Sequence, residues 1–455
     1  MSHLQTNLVS DGTGLQIPVE SFTGGVTEMF PLINKPRLIE TSIASRHRLD
    51  ILPTNATLNE EITDKYIEFN IPGQQGAFLD LSSLMLELKL HLIKGDAKEN
   101  IGDDEPIVLV NNALHSLFKS ATVFVQGQQI ENNPLYPYTS FVRMLTGMSI
   151  SKRETLARNM FFYDDNKGSG IQKDYTQEYF LNLNRLEKKV TKEVKNQGVH
   201  LCAPLLLDLA TSDGYLLDNV DVRIRLEFSS TEFVLSTSDE NMKPKFVVDL
   251  AKLHITRLRP HPQAMLALNA SLQKPGNSVD YLYTKSLYKT YIMSLGQQTF
   301  SIDLPWQSVI PEKLYFFMCD MDAFAGSFKK NPFYFDHNSI RKIHLTVNGA
   351  SVYNINVDFP YHFSSAYYHV LNSIGIEKDH VVTRDAFSTG RTLFVLDLQA
   401  EKLADSIALE QSGNLRIDLE FEQPMNANKV LVLLGDTQGR LSINSDRRIY
   451  SDIRA

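Results

Sequence analysis

The chain has 455 residues, 43% of them apolar and 22% charged, with a net charge of −8 and a pI near 5.9. That length exceeds one ordinary core, and the acidic balance argues against specific or general nucleic-acid binding, which needs a basic face for phosphates. Two cysteines, Cys202 and Cys319, exclude a disulfide-stapled fold and an all-cysteine zinc site.

No run of about 18 apolar residues occurs, so no membrane span is expected. The N-terminal "MSHLQTNLVSDGTG" lacks the charged-then-apolar layout of a secretory signal. The triplets Asn55-Ala56-Thr57 and Asn269-Ala270-Ser271 match the glycosylation pattern and, without a signal, read as chance. Residues 1–35 hold several glycines and few apolar patterns, as an extended arm would.

Beyond the arm, short alternating runs dominate. They are "KYIEFNI", "LMLELKLHL", "ATVFVQG", "VDVRIRLEF", "IHLTVNG" and "NLRIDLEF". Period two buries one face and wets the other, as in antiparallel sheets. Turn signals between the runs predict sandwiches or barrels.

The runs recur in order. "GQQGAFLDL" from Gly73 is echoed by "GQQTFSIDL" from Gly296, and "HSLFKSATVFVQG" (His115–Gly127) by "HNSIRKIHLTVNG" (His337–Gly349). "YPYTSFVRMLTG" and "FPYHFSSAYYHVLNSIG" each carry Pro-Tyr, a Ser or Thr suited to an N-cap, an apolar helical stretch and a Gly stop. "LLLDL" (to Leu209) pairs with "FVLDL" (to Leu398), and "VRIRLEF" (to Phe228) with "LRIDLEF" (to Phe421). The first three landmarks sit 222–223 residues apart and the last two 189 and 193 apart. Shared order makes this a tandem duplication.

The fall in offset places a polar, turn-rich insertion in the first copy, at about 148–203, where a surface projection leaves the core intact. The polar stretch "STSDENMKPK" (Ser236–Lys245) reads as the boundary. The expected organisation is an arm at 1–35, a first roll at 36–240, a second at 246–435 and a tail at 436–455 bearing Arg440, Arg447, Arg448 and Arg454.

Reactive constellations are missing. There is no phosphate loop, no nucleophile elbow and no His-Glu-x-x-His. "DDNKGSG" at Asp164 resembles the start of a calcium loop, but its twelfth position is Tyr175 where a bidentate Glu is needed. His362 and His369 lie seven apart in the second predicted helix, without a third ligand and among tyrosines, so packing or a subunit contact is the better reading. His115 and His337, kept at equivalent places, read as structural hydrogen-bonders. No catalytic, cofactor-binding or metal residues are assigned, and the chain is not expected to be an enzyme.

Two copies of some eight strands and a short helix suit a jelly roll. The fold expected is therefore all-β: two tandem eight-stranded jelly-roll sandwiches with short helices and long surface loops. Twenty-five Phe and 18 Tyr against one Trp suit packing between sheets and at oligomer interfaces.

The segments "SATVFVQGQQIENNPLYPYTSF" and "KIHLTVNGASVYNINVDFPYHFSSAYYHVLNSIG" resemble double jelly-roll, hexon-like major capsid proteins of eukaryotic double-stranded DNA viruses, especially those of Polinton/Maverick and adintovirus-type elements. The resemblance spans roughly residues 40–435 through pattern and length, without a diagnostic tripeptide. It implies a homotrimer forming a pseudo-hexagonal tile of an icosahedral shell around DNA, with penton and minor capsid proteins as further partners. It also implies an outward tower from the insertion, terminal arms tying neighbours together, localisation in the virion, and no cofactor. Two other classes compete. A carbohydrate-binding double sandwich would want exposed aromatic platforms, and this chain has a single Trp. A cupin-like enzyme would want a His-rich metal strand, and neither copy has one.

Overall fold

The computed structural model describes residues 8–10, 16–18, 42–55, 66–94, 106–147, 156–163, 171–176, 198–239, 243–274, 276–375, 382–399 and 411–451. Packing divides the chain into Met1–Ala44 and Ser45–Ala455. In the first unit, β1 (Leu8–Ser10) and β2 (Gln16–Pro18) form an antiparallel pair with Val9 opposite Ile17.

The described residues of the second unit run in chain order as follows. First come β3 (Ile43–Ile51, entering from the first unit), β4 (Tyr66–Ile71), β5 (Phe78–Lys94), β6 (Ile107–Leu109), α1 (Ala113–Ser116), β7 (Phe118–Val125), β8 (Gln128–Asn133) and α2 (Tyr136–Gly147). Then come β9 (Val199–Pro204), β10 (Val222–Phe228), α3 (Thr231–Val234), β11 (Leu235–Thr237), β12 (Pro244–Pro260) and α4 (Pro262–Leu272). The second half contains β13 (Ser278–Met293), β14 (Thr299–Asp303), β15 (Val309–Ile310), β16 (Lys313–Asp320), α5 (Met321–Ala325), β17 (Ile340–Val347), β18 (Ala350–Asn356) and α6 (Ser364–Ile374). It ends with α7 (Arg384–Ser388), β19 (Phe394–Asp397), β20 (Gln411–Ser412), β21 (Leu415–Phe421), β22 (Lys429–Asn444) and β23 (Ile449–Ser451).

Each half builds the same pair of four-stranded sheets, to which roll two adds β23 beside β22. Roll one has β3-β12-β5-β9 and β4-β10-β7-β8; roll two has β13-β22-β16-β19 and β14-β21-β17-β18. Successive strands pass between the two sheets in the same sequence in both halves. This is the eight-stranded jelly roll made of Greek-key connections. Alternation supplies the cores. Ile67, Phe69 and Ile71 of β4, Leu86, Leu88, Leu90 and Leu92 of β5, and Val222, Ile224 and Leu226 of β10 are all buried.

Strand register tests the repeat rung by rung. Val222 lies opposite Val125 in roll one, and Leu415 lies opposite Val347 in roll two, matching the 193- and 222-residue offsets. A β-bulge interrupts β7–β8 between Val123 and Phe124, and another interrupts β17–β18 between Leu345 and Thr346, again 222 residues on. Shared bulges are family-level features, so these landmarks are true equivalents.

Two landmarks are slipped. Val222 pairs with Ile71, while the Leu304 amide donates to the Leu415 carbonyl at 2.9 Å, so Ile71 corresponds to Leu304, 233 residues on. The Gly73/Gly296 likeness at 223 is therefore ten residues out of step, and its "FLDL" belongs to β5. Amphipathic strands resemble one another at every even shift, which is why the slip is invisible in sequence. Likewise, "FVLD" is β19, but its counterpart is β9 and not "LLLDL", which follows β9 as a connection.

The expected boundaries also move. The stretch Ser236–Lys245 runs from β11 into β12 within roll one and is not a domain junction, because β12 pairs along β5, with Phe246 opposite Leu92 and Leu253 opposite Leu86. Roll one thus runs through Pro260, α4 links the rolls, and roll two begins at Ser278. The expected tail is largely strand: β22 crosses residue 435 and pairs with β13 to Asn444, and β23 pairs with β22. The apolar alternation in "LVLLGDTQGRLSIN" outweighs the arginines.

The insertion is smaller than expected. β9 lies within the expected range of 148–203 yet is a sheet strand, and Ala157, Met160, Phe161 and Phe162 are buried in the core. Residues 148–155, 164–170 and 177–197 lie outside the described residues, and with them "DDNKGSG". The N-cap expectation fails too. Thr139 and Ser140 sit inside α2, where the Thr139 hydroxyl donates to the Leu135 carbonyl at 2.9 Å. In roll two the N-cap position is Phe363.

Candidate functional site: the seam between the rolls

The most elaborate cluster of polar and aromatic side chains lies where roll one meets the outer face of the β13-β22-β16-β19 sheet. α2 delivers the aromatic part. Tyr138 stacks on Phe324 with centroids 5.3 Å apart and approaches Phe317 and Phe333 at 5.7 and 5.6 Å. One turn on, Phe141 stacks on Phe333 at 4.2 Å, and Phe317 stacks on Phe335 at 4.0 Å. Such offset aromatic pairs add roughly 0.5–1.5 kcal/mol each beyond their burial.

Arg143, on the same helix, anchors the polar part. Its guanidinium donates to Asp208 at 2.5 Å and to Ser286 of β13 at 2.7 Å. Asp208 in turn accepts the Ser286 amide at 2.7 Å and the Ser286 hydroxyl at 2.9 Å. The backbone amides of Asp208 and Leu209 donate to Glu131 of β8 at 2.9 and 3.3 Å. Asp436 of β22 accepts from Tyr315 of β16 at 2.8 Å.

One guanidinium thus sits in contact with the buried Asp208 and under the charge of Asp436 and Glu131. Burial, and then the charge of Asp208, push Glu131 up to about 8. Burial also raises Asp436. Desolvation works against the Arg143 charge, but Asp208 and Asp436 outweigh it and hold that pKa above its ordinary value. Near neutrality Glu131 is therefore protonated, and the Arg143–Asp208 pair of roll one reaches across the seam to Ser286 of β13.

Two further ties flank this cluster. From the connection before β9, the amide of Tyr175 donates to the Lys329 carbonyl at 2.6 Å, and Lys173 lies 3.2 Å from Asp320. Asp320 also receives the fully buried Lys429 ammonium at 2.5 Å, and Asp336 receives it at 3.1 Å. At the other end, Tyr281 of β13 donates to the Tyr215 carbonyl at 3.0 Å and accepts the Leu217 amide at 3.1 Å. Arg447 grips the Asp218 carboxylate and, at 2.8 Å, its carbonyl.

The residues singled out in sequence take structural places. His115 accepts or donates with the Tyr136 hydroxyl at 2.9 Å, and burial pushes it down to about 3. His337 accepts the Ser339 amide at 3.0 Å, stacks on Phe359 and is lowered by burial. Both are neutral members of the fold. His362 and His369 do not share a helical face. The first precedes α6 and pairs with Asp358 at 2.9 Å, while the second packs edge-on against Tyr353. Cys319 is buried; Cys202 is half-buried. Asn55 is engaged on both sides of its amide, with the Tyr66 carbonyl and the Glu68 amide. Arg440 pairs with Asp280 at 2.6 Å. Arg454 lies outside the described residues.

Among the described residues no three or more His, Cys, Asp or Glu side chains form a metal site, and no helix is long and apolar enough to cross a membrane. A cavity of about 210 Å³ beside the start of α2 is lined mainly by Leu135, Pro137, Tyr138, Phe233 and Phe324. It gathers no acid–base pair. The seam can hold two domains together; it offers no reacting constellation.

Sequence reasoning missed the seam residues. Their partners are some 60 to 230 positions away, and the available signal was faint: an Asp inside "LLLDL" and a Lys heading "KVLVLL", polar groups in apolar runs that must find partners when buried.

No family model matches the chain. A Caenorhabditis elegans protein whose name calls it uncharacterized is 21% identical over 379 residues, covering 80% of this chain and 83% of its own. A chain in the Sputnik virophage structure superposes with a TM-score of 0.60 at 12% identity, over 92% of this chain and 90% of that one. The PBCV-1 virus capsid gives 0.55 at 9%, over 93% and 100%. The Faustovirus major capsid protein gives 0.52 at 8%, over 91% and 93%. At these identities the likeness is one of architecture, and the chain has the double jelly-roll fold of viral major capsid proteins.

Proposed function

We propose that the chain is a structural major capsid protein: three copies form a pseudo-hexagonal capsomer, and capsomers assemble into an icosahedral shell enclosing double-stranded DNA. The observation that carries this is the pair of eight-stranded rolls of one connectivity, fused by a buried aromatic and ionic seam into a single body. A two-domain tile repeated three times gives a ring with nearly six-fold sides, and closed cyclic contacts yield compact oligomers. The match to the PBCV-1 capsid and the Faustovirus major capsid protein over nine-tenths of the length supports the same reading.

Within that proposal, residues 1–35 serve as an arm toward neighbouring or inner surfaces, the insertion of the first copy before β9, apart from its buried Ala157, Met160, Phe161 and Phe162 and its seam residues 173–175, as an outward projection, and penton and minor capsid proteins as further partners in the virion. The similarity to a nematode protein over four-fifths of the chain supports a relative of Polinton/Maverick or adintovirus-type elements carried in animal genomes. The acidic net charge suits a shell that leaves DNA contact to other proteins.

Size-exclusion chromatography with multi-angle light scattering tests the reading. A mass of three chains, or larger shells, without added ligand is expected. A single-chain mass across concentration, salt and pH would overturn it.

A further inference from the structure

The sheet β3-β12-β5-β9 of roll one holds four of the chain's twelve histidines, one on each strand: His47, His254, His91 and His200. The equivalent strands of roll two, β13, β22, β16 and β19, hold none. The sandwich itself therefore does not need them.

Three of the four meet carboxylates. Asp50 of β3 lies 2.6 Å from Nδ1 of His254 on β12, and Oε2 of Glu87 on β5 lies 2.6 Å from its Nε2. The other Glu87 oxygen lies 2.9 Å from Nε2 of His200 on β9. One residue from each strand thus joins a transverse file, anion, imidazole, anion, imidazole, across the full width of the sheet. Beside it, Nδ1 of His91 lies 2.9 and 3.1 Å from the two oxygens of Asp249. The other groups facing the file are Arg48 on β3, Lys252 opposite Glu87, Met85 opposite His254, Lys89 opposite His200, and Cys202 opposite Glu87.

Proton count sets the chemistry. An ionised carboxylate only accepts, so a ring nitrogen facing one must carry a hydrogen. His254 faces a carboxylate with both nitrogens and is 6% exposed. Both contacts are hydrogen bonds only while the ring is an imidazolium. The neutral ring keeps one hydrogen, and its bare nitrogen then opposes a carboxylate. The hydrogen bond from His254 holds the Asp50 carboxyl below the usual carboxylate range, and those from His200 and His254 do the same for Glu87. Those two contributions are lost only as pH falls through the carboxylate range, so a loosening on the alkaline side belongs to the imidazoles.

We propose that this file is a pH-operated latch: with its imidazoles protonated it fastens the two edge strands, β3 through Asp50 and β9 through His200, to β12 and β5, and it releases them as rising pH removes the ring protons. Both are edges, each laddered to a single neighbour in this sheet. β3 is also where the chain enters roll one, so the latch sets how firmly the start of that roll is held. The inference does not depend on the capsid reading.

Amide hydrogen exchange of the purified protein, read by mass spectrometry and corrected for the intrinsic effect of pH, tests it between about pH 5 and about pH 8. The corrected exchange of β3 and β9 is expected to quicken roughly three- to tenfold as pH rises, relative to β4, the edge strand of the other sheet of the same roll. His254→Gln, uncharged at every pH, should exchange fast at β3 throughout and lose the profile there. Asp50→Asn should flatten β3 and leave the β9 profile, and His200→Gln should do the reverse. Asp50 and His200 are exposed, so these two variants keep the test decisive should His254→Gln fail to fold. A wild-type β3 profile that parallels β4 overturns the latch, as do folded variants that keep the wild-type profiles.

Discussion

α2 and α6 are two copies of one helix in two settings. Nine of the twelve residues of α2 are buried, against three of the eleven of α6. Both follow a bulged β8- or β18-type strand, with the Pro-Tyr pair in the first turn of α2 and just before α6, so the jelly roll itself does not explain the difference. What differs is the neighbour: α2 has roll two against it, and α6 has open solvent in a single chain. Of the two equivalent faces, one is a core, built by Phe141, Arg143 and their partners.

The comparison is broken most severely at the buried copy. Phe141→Ala removes a fully buried ring stacked at 4.2 Å on Phe333, with the Arg391 guanidinium over its other side. A loss of about 3–5 kcal/mol is expected from large-to-small core changes of this kind, read as a lowered midpoint in chemical denaturation. Arg143→Ala should cost a similar ~3–5 kcal/mol, since it strands Asp208 beside Glu131 and Asp436 without a cation. Asp208→Asn combined with Arg143→Met should recover part of that loss, because removing both charges spares the uncompensated one.

A pH series sharpens the same contrast. Glu131 has its folded pKa raised from 4.5 to about 8. Between those values the folded chain holds a proton that the unfolded chain has released, so this group's contribution to stability falls as pH rises from about 4.5 to about 8 and is level above. Glu131→Gln should flatten that part of the profile and gain on the wild type as pH increases. An unchanged slope would show that Glu131 is ionised in the folded seam. The equivalent position in roll two, Tyr353, carries no such carboxylate, so Tyr353→Phe should leave the slope as it is.

The smallest effect is expected at the open copy. Tyr361→Ala and Tyr368→Ala should each change the stability of the single chain by no more than about 0.5 kcal/mol, as exposed substitutions do, read in the same denaturation series. A large stability loss at Tyr361 would mean that α6 is already covered within the chain.

The fold was legible in sequence wherever a period-two pattern met a turn: β7, β10, β17 and β21 stand where the alternation put them. Offsets between strands were legible only where a bulge or an odd landmark fixed the phase, which is why the Gly73/Gly296 match slipped by ten residues. The boundary at Ser236–Lys245 was misplaced because a polar stretch inside a roll looks like a linker; only the pairing of β12 along β5 distinguishes them. The seam was least legible. Arg143, Asp208 and Ser286 are brought together by long-range packing, and nothing local in "SFVRML" or "LLLDL" announces it. His115 and His337, which sequence marked as structural, are held neutral by burial, as a structural role requires.

The central claim is that this chain is one tile of a closed ring of three. Electron microscopy of the purified protein tests it most directly. The account predicts three-fold particles with a nearly hexagonal outline. Single-chain particles under every condition would contradict it.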